Sequence, residues 1–173
     1  LVLIIVVLLI FYIVKGFNTE DKNSPQEYTP QEEISDNQLR ETIVTLYFLD
    51  KTSNTLKSEG KLIDSASLLQ NPYKELVDLL IQGPTNDTLS KVFPENTQVL
   101  DAYIKNDCVT VDFSQELLNF ENEEQKYNII NSVLNTLTKL SEVNSIQILI
   151  NNEKNDSFPD TFTHWQTIDN IVI

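Results

Sequence analysis

Asn71-Pro72-Tyr73-Lys74-Glu75-Leu76-Val77-Asp78-Leu79-Leu80-Ile81-Gln82-Gly83-Pro84 carries its own start and stop signals, and its flanks set the fold class. Asn71 suits an N-cap, Pro72 the first helical position, and Gly83-Pro84 the helix end, where left-handed backbone penalises a side chain. Tyr73, Leu76, Val77 and Leu80 follow i, i+3, i+4, i+7 spacing, so one face is buried. Upstream, residues 42–49 are β-branched and aromatic and read as a strand with Val44, Leu46 and Phe48 on one face. A polar turn at 50–54 leads to a weaker strand over 56–63, interrupted by Gly60, and no element is assigned over 64–70.

Downstream, strands at 97–104 and 108–113 flank Lys105-Asn106-Asp107, which reads as a hairpin turn because Asn and Asp tolerate left-handed backbone. Val109, Val111 and Phe113 point one way; Cys108, Thr110 and Asp112 point the other. A second helix over 123–140 places Tyr127, Ile130, Val133, Leu134, Leu137 and Leu140 on one stripe. A last strand, 145–150, alternates Ile146, Ile148 and Ile150 with Gln147 and Leu149. Five strands and two amphipathic helices predict an α+β fold: a two-layer sandwich of a small mixed or antiparallel sheet with two helices on one face.

Composition narrows the function. The 173 residues are 40% hydrophobic, enough for an anchor, a linker and one core. A net charge of −14, with Arg40 the only arginine, repels phosphate backbones and excludes nucleic acid as a natural partner. The single cysteine, Cys108, leaves no internal disulfide and no multi-cysteine zinc site, and its neighbours Val109-Thr110-Val111 place it in a strand.

Residues 1–14 form an unbroken apolar run followed at once by Lys15. At about 1.5 Å per residue the run covers roughly 21 Å of a hydrocarbon layer near 30 Å thick. The chain does not begin with Met, so the expectation is a transmembrane anchor over 1–17 with part of it preceding Leu1. A cleaved signal peptide competes, but Lys15-Gly16-Phe17-Asn18 offers no small-x-small cleavage site. Residues 18–41 are acidic, with Pro25 and Pro30 and few apolar side chains, and read as a disordered linker spanning roughly 25 to 30 Å. Folded regions follow at 42–155, with a C-terminal extension at 156–173. The expected location is a single-pass cell-membrane protein with its domain on the extracytoplasmic side.

The order of elements over about residues 42–154 resembles the GerMN domain of spore germination and sporulation proteins. The resemblance is carried by the apolar helix closed by Gly83-Pro84-Thr85 and by Pro94-Glu95-Asn96-Thr97 leading into a strand. Val109-Thr110-Val111-Asp112-Phe113-Ser114, Thr136-Leu137-Thr138 and Val143 to Ile150 complete it. Relatives usually hold Asp-Gly where this chain has Asn106-Asp107. The resemblance implies a structural role for Gly83, Pro84, Thr85, Pro94, Val111, Asp112 and Phe113. It brings no catalytic residue and no cofactor. It further implies similarity to ring-building domains and an assembly role through contacts with envelope or sporulation complex proteins, a homo-oligomer being among the assemblies it allows.

Three other chemistries are weighed on residues alone. Glu121, Glu123 and Glu124 could supply paired carboxylates or calcium ligands, but they open a helix, where negative charge suits the macrodipole, and no Asp-x-Asp-x-Asp-Gly loop accompanies them. A hydrolase needs Asp112, Glu116 and the sole histidine, His164, to converge. A binding module for peptidoglycan or a small envelope ligand needs a concave polar site, for which the loop at 83–97 is the expected wall. Finally, Phe162, Trp165 and Ile171 in the extension are the candidate partner surface.

Overall fold

A computed structural model describes residues 41–163. The anchor and linker over 1–40, and the segment 164–173 with His164, Trp165 and Ile171, lie outside the described residues. Among the described residues no helix is long and apolar enough to cross a membrane.

The chain order is β1 (Glu41–Asp50), β2 (Leu56–Asp64), a 3-10 turn (Ser65–Leu69), α1 (Pro72–Gln82), β3 (Leu89–Ser90), β4 (Val99–Lys105), β5 (Cys108–Phe113), a second 3-10 turn (Gln115–Asn119), α2 (Glu123–Leu137), β6 (Ser145–Ile150) and β7 (Thr161–Thr163). The α+β class stands, but the strands divide between two sheets where one was expected. An antiparallel sheet runs β2-β1-β3, and a mixed sheet runs β4-β5-β6-β7, with β5 and β6 parallel. Parallel neighbours need a crossover, and α2 supplies it.

Asn71 caps α1 as read, accepting from Lys74 N at 3.0 Å. Asn122, which the sequence reading did not name, caps α2 in the same way by accepting from Gln125 N at 2.9 Å. Asn106 and Asp107 both have positive φ, 58° and 89°, and Lys105 pairs with Cys108, so the β4–β5 turn is the two-residue form that matches strand twist. Gly60 does not interrupt β2, whose register with β1 is continuous from Leu56 to Asp64.

One core joins all the elements. Val109, Val111 and Phe113 lie in register with Ile146, Ile148 and Ile150, presenting a buried apolar face. Both helices contact both sheets, α1 through β4 and β1 and α2 through β6 and β1. That double contact widens the buried arc of α2 beyond the expected stripe: Ile129, Ser132 and Thr136 are buried, whereas Tyr127 is exposed. The folded unit also continues past residue 155. Phe158 is fully buried with its ring edge-on to Phe120, and β7 adds to β6.

Candidate functional site

The α2 hydroxyls make the least expected polar arrangement. Ser132 Oγ donates to Tyr47 O at 2.6 Å, and Tyr47 N donates to Thr136 Oγ1 at 3.2 Å. Ser132 and Thr136 sit one turn apart and are both fully buried, so the helix takes the place of a strand along the edge of β1. Their signal in the sequence was a pair of hydroxyls at i, i+4 inside an apolar helix. Periodicity of apolar residues passes over them.

A cleft of about 260 Å³ opens where the β1–β2 turn, the segment after β3 and the start of α2 meet, lined by Asn54, Lys91, Val92, Glu121, Glu124 and Asn128 among others. Its walls are fixed by hydrogen bonds. Gln125 Nε2 donates to Val92 O at 3.2 Å, Glu121 N donates to Gln125 Oε1 at 2.7 Å, and Asn54 Nδ2 donates to Glu124 Oε1. Asn54 holds its place with positive φ at the end of a turn organised by Asp50. Asp50 is buried and accepts from Thr52 N, Ser53 N, Ser53 Oγ and Lys57 Nζ. Lys57 chiefly, then the Ser53 donors, hold its carboxyl well below the usual range.

Lys91 and Val92 do belong to the expected wall at 83–97. The signal missed was the conjunction of Asn54 with Glu121 to Asn128, far apart in sequence. Amides, two carboxylates and one lysine over apolar Leu49 and Val92 can exchange hydrogen bonds with a small polar ligand.

The family-pattern residues serve structure. Gly83 has φ 98° and ψ 176°, and a Cβ there would lie 2.8 Å from two carbons of the Lys91 chain. Pro84 follows it beyond the helix, as expected of a helix stop. Thr85 N donates to both carboxylate oxygens of Glu59, and Pro94 O accepts from Thr97 N and Oγ1. Val111 and Phe113 are fully buried, Phe113 against Phe93 at 5.9 Å between ring centres. Asp112 accepts from Asn152 N at 2.7 Å, so it caps the turn after β6, not the turn after its own strand. Ser114 draws Glu116 below its usual pKa and itself accepts from Gln98 N at 3.1 Å. Asp112 and Glu116 thus have separate structural partners, and the third member of the hydrolase set lies outside the described residues. Glu123 pairs with Lys126. No group of three or more His, Cys, Asp or Glu able to hold a metal occurs among the described residues. Phe162 is half-buried in β7, packed on the core.

The architecture defines a small α+β domain with two sheets sharing two helices, held by structural turns and one helix-to-edge contact. The chain belongs to the Germane family of sporulation and spore germination proteins, whose model matches residues 45–156. Its fold is similar to the tandem GerMN domains of the sporulation protein GerM from Bacillus subtilis, with TM-score 0.57 and 22% identity, covering 71% of this chain and 44% of that one. The chain therefore spans under half the length of that tandem. The first GerMN domain of the same protein matches with TM-score 0.53 and 24% identity, covering 66% of this chain and 86% of the domain. No curated protein sequence matches.

Proposed function

We propose that this chain is a membrane-anchored, extracytoplasmic and non-catalytic protein that supports assembly of a sporulation or germination envelope complex through protein contacts. The observation that carries this reading is family membership over residues 45–156. The anchoring half rests on the apolar run at 1–14 and the acidic, apolar-poor stretch behind it. The reading needs no cofactor. Photo-crosslinking in the native membrane, followed by identification of the attached proteins, tests it. Recovery of the domain from the cytosol, or turnover of a substrate by the purified chain, would overturn it.

The cleft beside α2 favours a second reading, a module that binds peptidoglycan fragments or a small envelope ligand. Its lining of side-chain amides suits hydroxyl and amide groups. Titration with soluble muropeptides, followed by amide NMR shifts at Asn54, Lys91 and Asn128, separates the two. Shifts confined to those residues support the ligand, and none at millimolar concentration removes it.

A further inference from the structure

Strand β2 ends its sheet, and no described element pairs with its outer edge. The phase of that edge follows from β1. Tyr47 turns its N–H and C=O toward α2, away from β2, so Tyr47 and Ser58 form a non-hydrogen-bonded pair. Alternation then points the N–H and C=O of Ser58, Gly60 and Leu62 outward, a row of free donors and acceptors.

We propose that this edge pairs antiparallel with β2 of a second copy of the chain, Gly60 opposite Gly60 of the other copy. The inference rests on the assembly reading above and names one of its contacts. Gly60 is the midpoint of Leu56–Asp64, so this register pairs the whole strand. It also meets the hydrogen-bond phase, since outward-facing Ser58 lies opposite outward-facing Leu62 of the other copy. Charge selects the same register. Glu59 falls opposite Lys61 of the other copy, twice by symmetry, whereas a slip of two residues either way, the smallest that keeps the hydrogen-bond phase, sets Glu59 against Glu59 or Lys61 against Lys61. Lys61 has no ion-pair partner among the described residues, and Glu59, which accepts from Thr85 N, retains lone pairs for a cation.

Two exposed apolar side chains lie at the same place. Ile43 and Leu62 are a cross-strand pair, 71% and 57% exposed, on the outer face beside the bare Gly60. In the paired form Leu62 lies diagonal to Gly60 of the other copy, where it meets the Ile43 Cγ2 methyl that leans over that glycine.

Disulfide trapping of the full chain in mild detergent, with Cys108→Ser throughout, reads the register. In the proposed pairing Ser58 and Leu62 of opposite copies lie at about 5.5 Å between Cα atoms, within disulfide range. Two Ser58 positions are roughly 13 Å apart along the strands, beyond it. A mixture of Ser58→Cys and Leu62→Cys chains should therefore give mixed dimers, and each alone should give almost none. Equal trapping in the single samples, or none in the mixture, overturns the pairing. Ser58→Pro removes only an outward N–H, so circular dichroism should be unchanged while sedimentation of the wild-type dimer shifts to monomer. A Ser58→Pro chain that still self-associates places the contact elsewhere. That result, or a wild type that stays monomeric, sinks the edge pairing and leaves the broader reading to the native-membrane crosslinks.

Discussion

Removing the α2 hydroxyls should cost far more than their size suggests. Thr136→Val keeps the shape of the side chain but removes the acceptor for Tyr47 N, and Ser132→Ala removes the donor to Tyr47 O. Both side chains are fully buried, so the stranded peptide groups gain no water in exchange. An unsatisfied buried partner costs about 1–3 kcal/mol, so each variant should lose that much, and either loss is a large fraction of a small domain's stability. The two losses need not add, because both act on one peptide edge and the double variant can let that segment shift as a unit. Urea unfolding of the full chain in detergent measures the cost through the midpoint at unchanged slope. Amide exchange adds a local readout: Tyr47 should lose protection in Thr136→Val, while Leu46, bonded within the β1–β2 ladder, keeps it. If both variants unfold within about 0.5 kcal/mol of wild type and Tyr47 stays protected, the helix does not serve as the neighbour of β1 and the argument fails.

Other perturbations probe the turns and the boundary. Asp50→Asn should destabilise the fold at neutral pH and flatten its acid limb in pH-dependent urea melts. The folded Asp50 carboxyl lies below its ordinary value of 3.8, so its stabilisation is complete above that pH and fades as pH falls toward the folded value. Gly83→Ala should cost about 1–3 kcal/mol in thermal unfolding, and adding Lys91→Ala should recover the crowding part only, because φ 98° with ψ 176° remains a glycine conformation. Phe158→Ala should cost about 3–5 kcal/mol by the same melts, since its ring is fully buried; a surface-like loss under 1 kcal/mol would show that the fold ends before it.

The parts of this fold legible in the sequence are those whose physics is local. Asn71, Pro72 and Gly83 bound α1 within three residues of where they act, and Asn106-Asp107 close a hairpin of two residues. Strands β1, β5 and β6 announce themselves by β-branched or alternating runs, whereas β2 reads only as a weaker strand. What escaped depends on partners distant in the chain. The division into two sheets is set by which strands pair, and β3 is too short, at two residues, to carry a periodic signal. Tyr127 fits the helical stripe yet lies exposed, because the two sheets select a face that includes Ile129. The cleft was legible by one wall only, since the residues facing Lys91 come from a turn about forty positions before it and a helix start about thirty after.

Edge accounting links the fold to its use. A sheet edge exposes peptide groups that must be hydrated, covered or paired. The open edge of β1 is answered by Ser132 and Thr136 and, further along, by β3. Strand β7 is three residues long and exposes little backbone. Strand β2 differs: it runs nine residues, has neither proline nor bulge, and carries an outward apolar side chain beside a glycine. Its two inward lysines are the usual deterrent to pairing, yet Asp50 neutralises Lys57 and the register centred on Gly60 neutralises Lys61. Reversing one charge, Lys61→Glu, should set Glu against Glu at both symmetric positions and abolish the trapped dimer while the circular dichroism of the folded chain is kept. Lys61 makes no ion pair within its own chain among the described residues, so the monomer loses no salt bridge. Dimer trapping that survives the reversal would mean that backbone pairing alone sets the contact, and the charge argument for its register would fall.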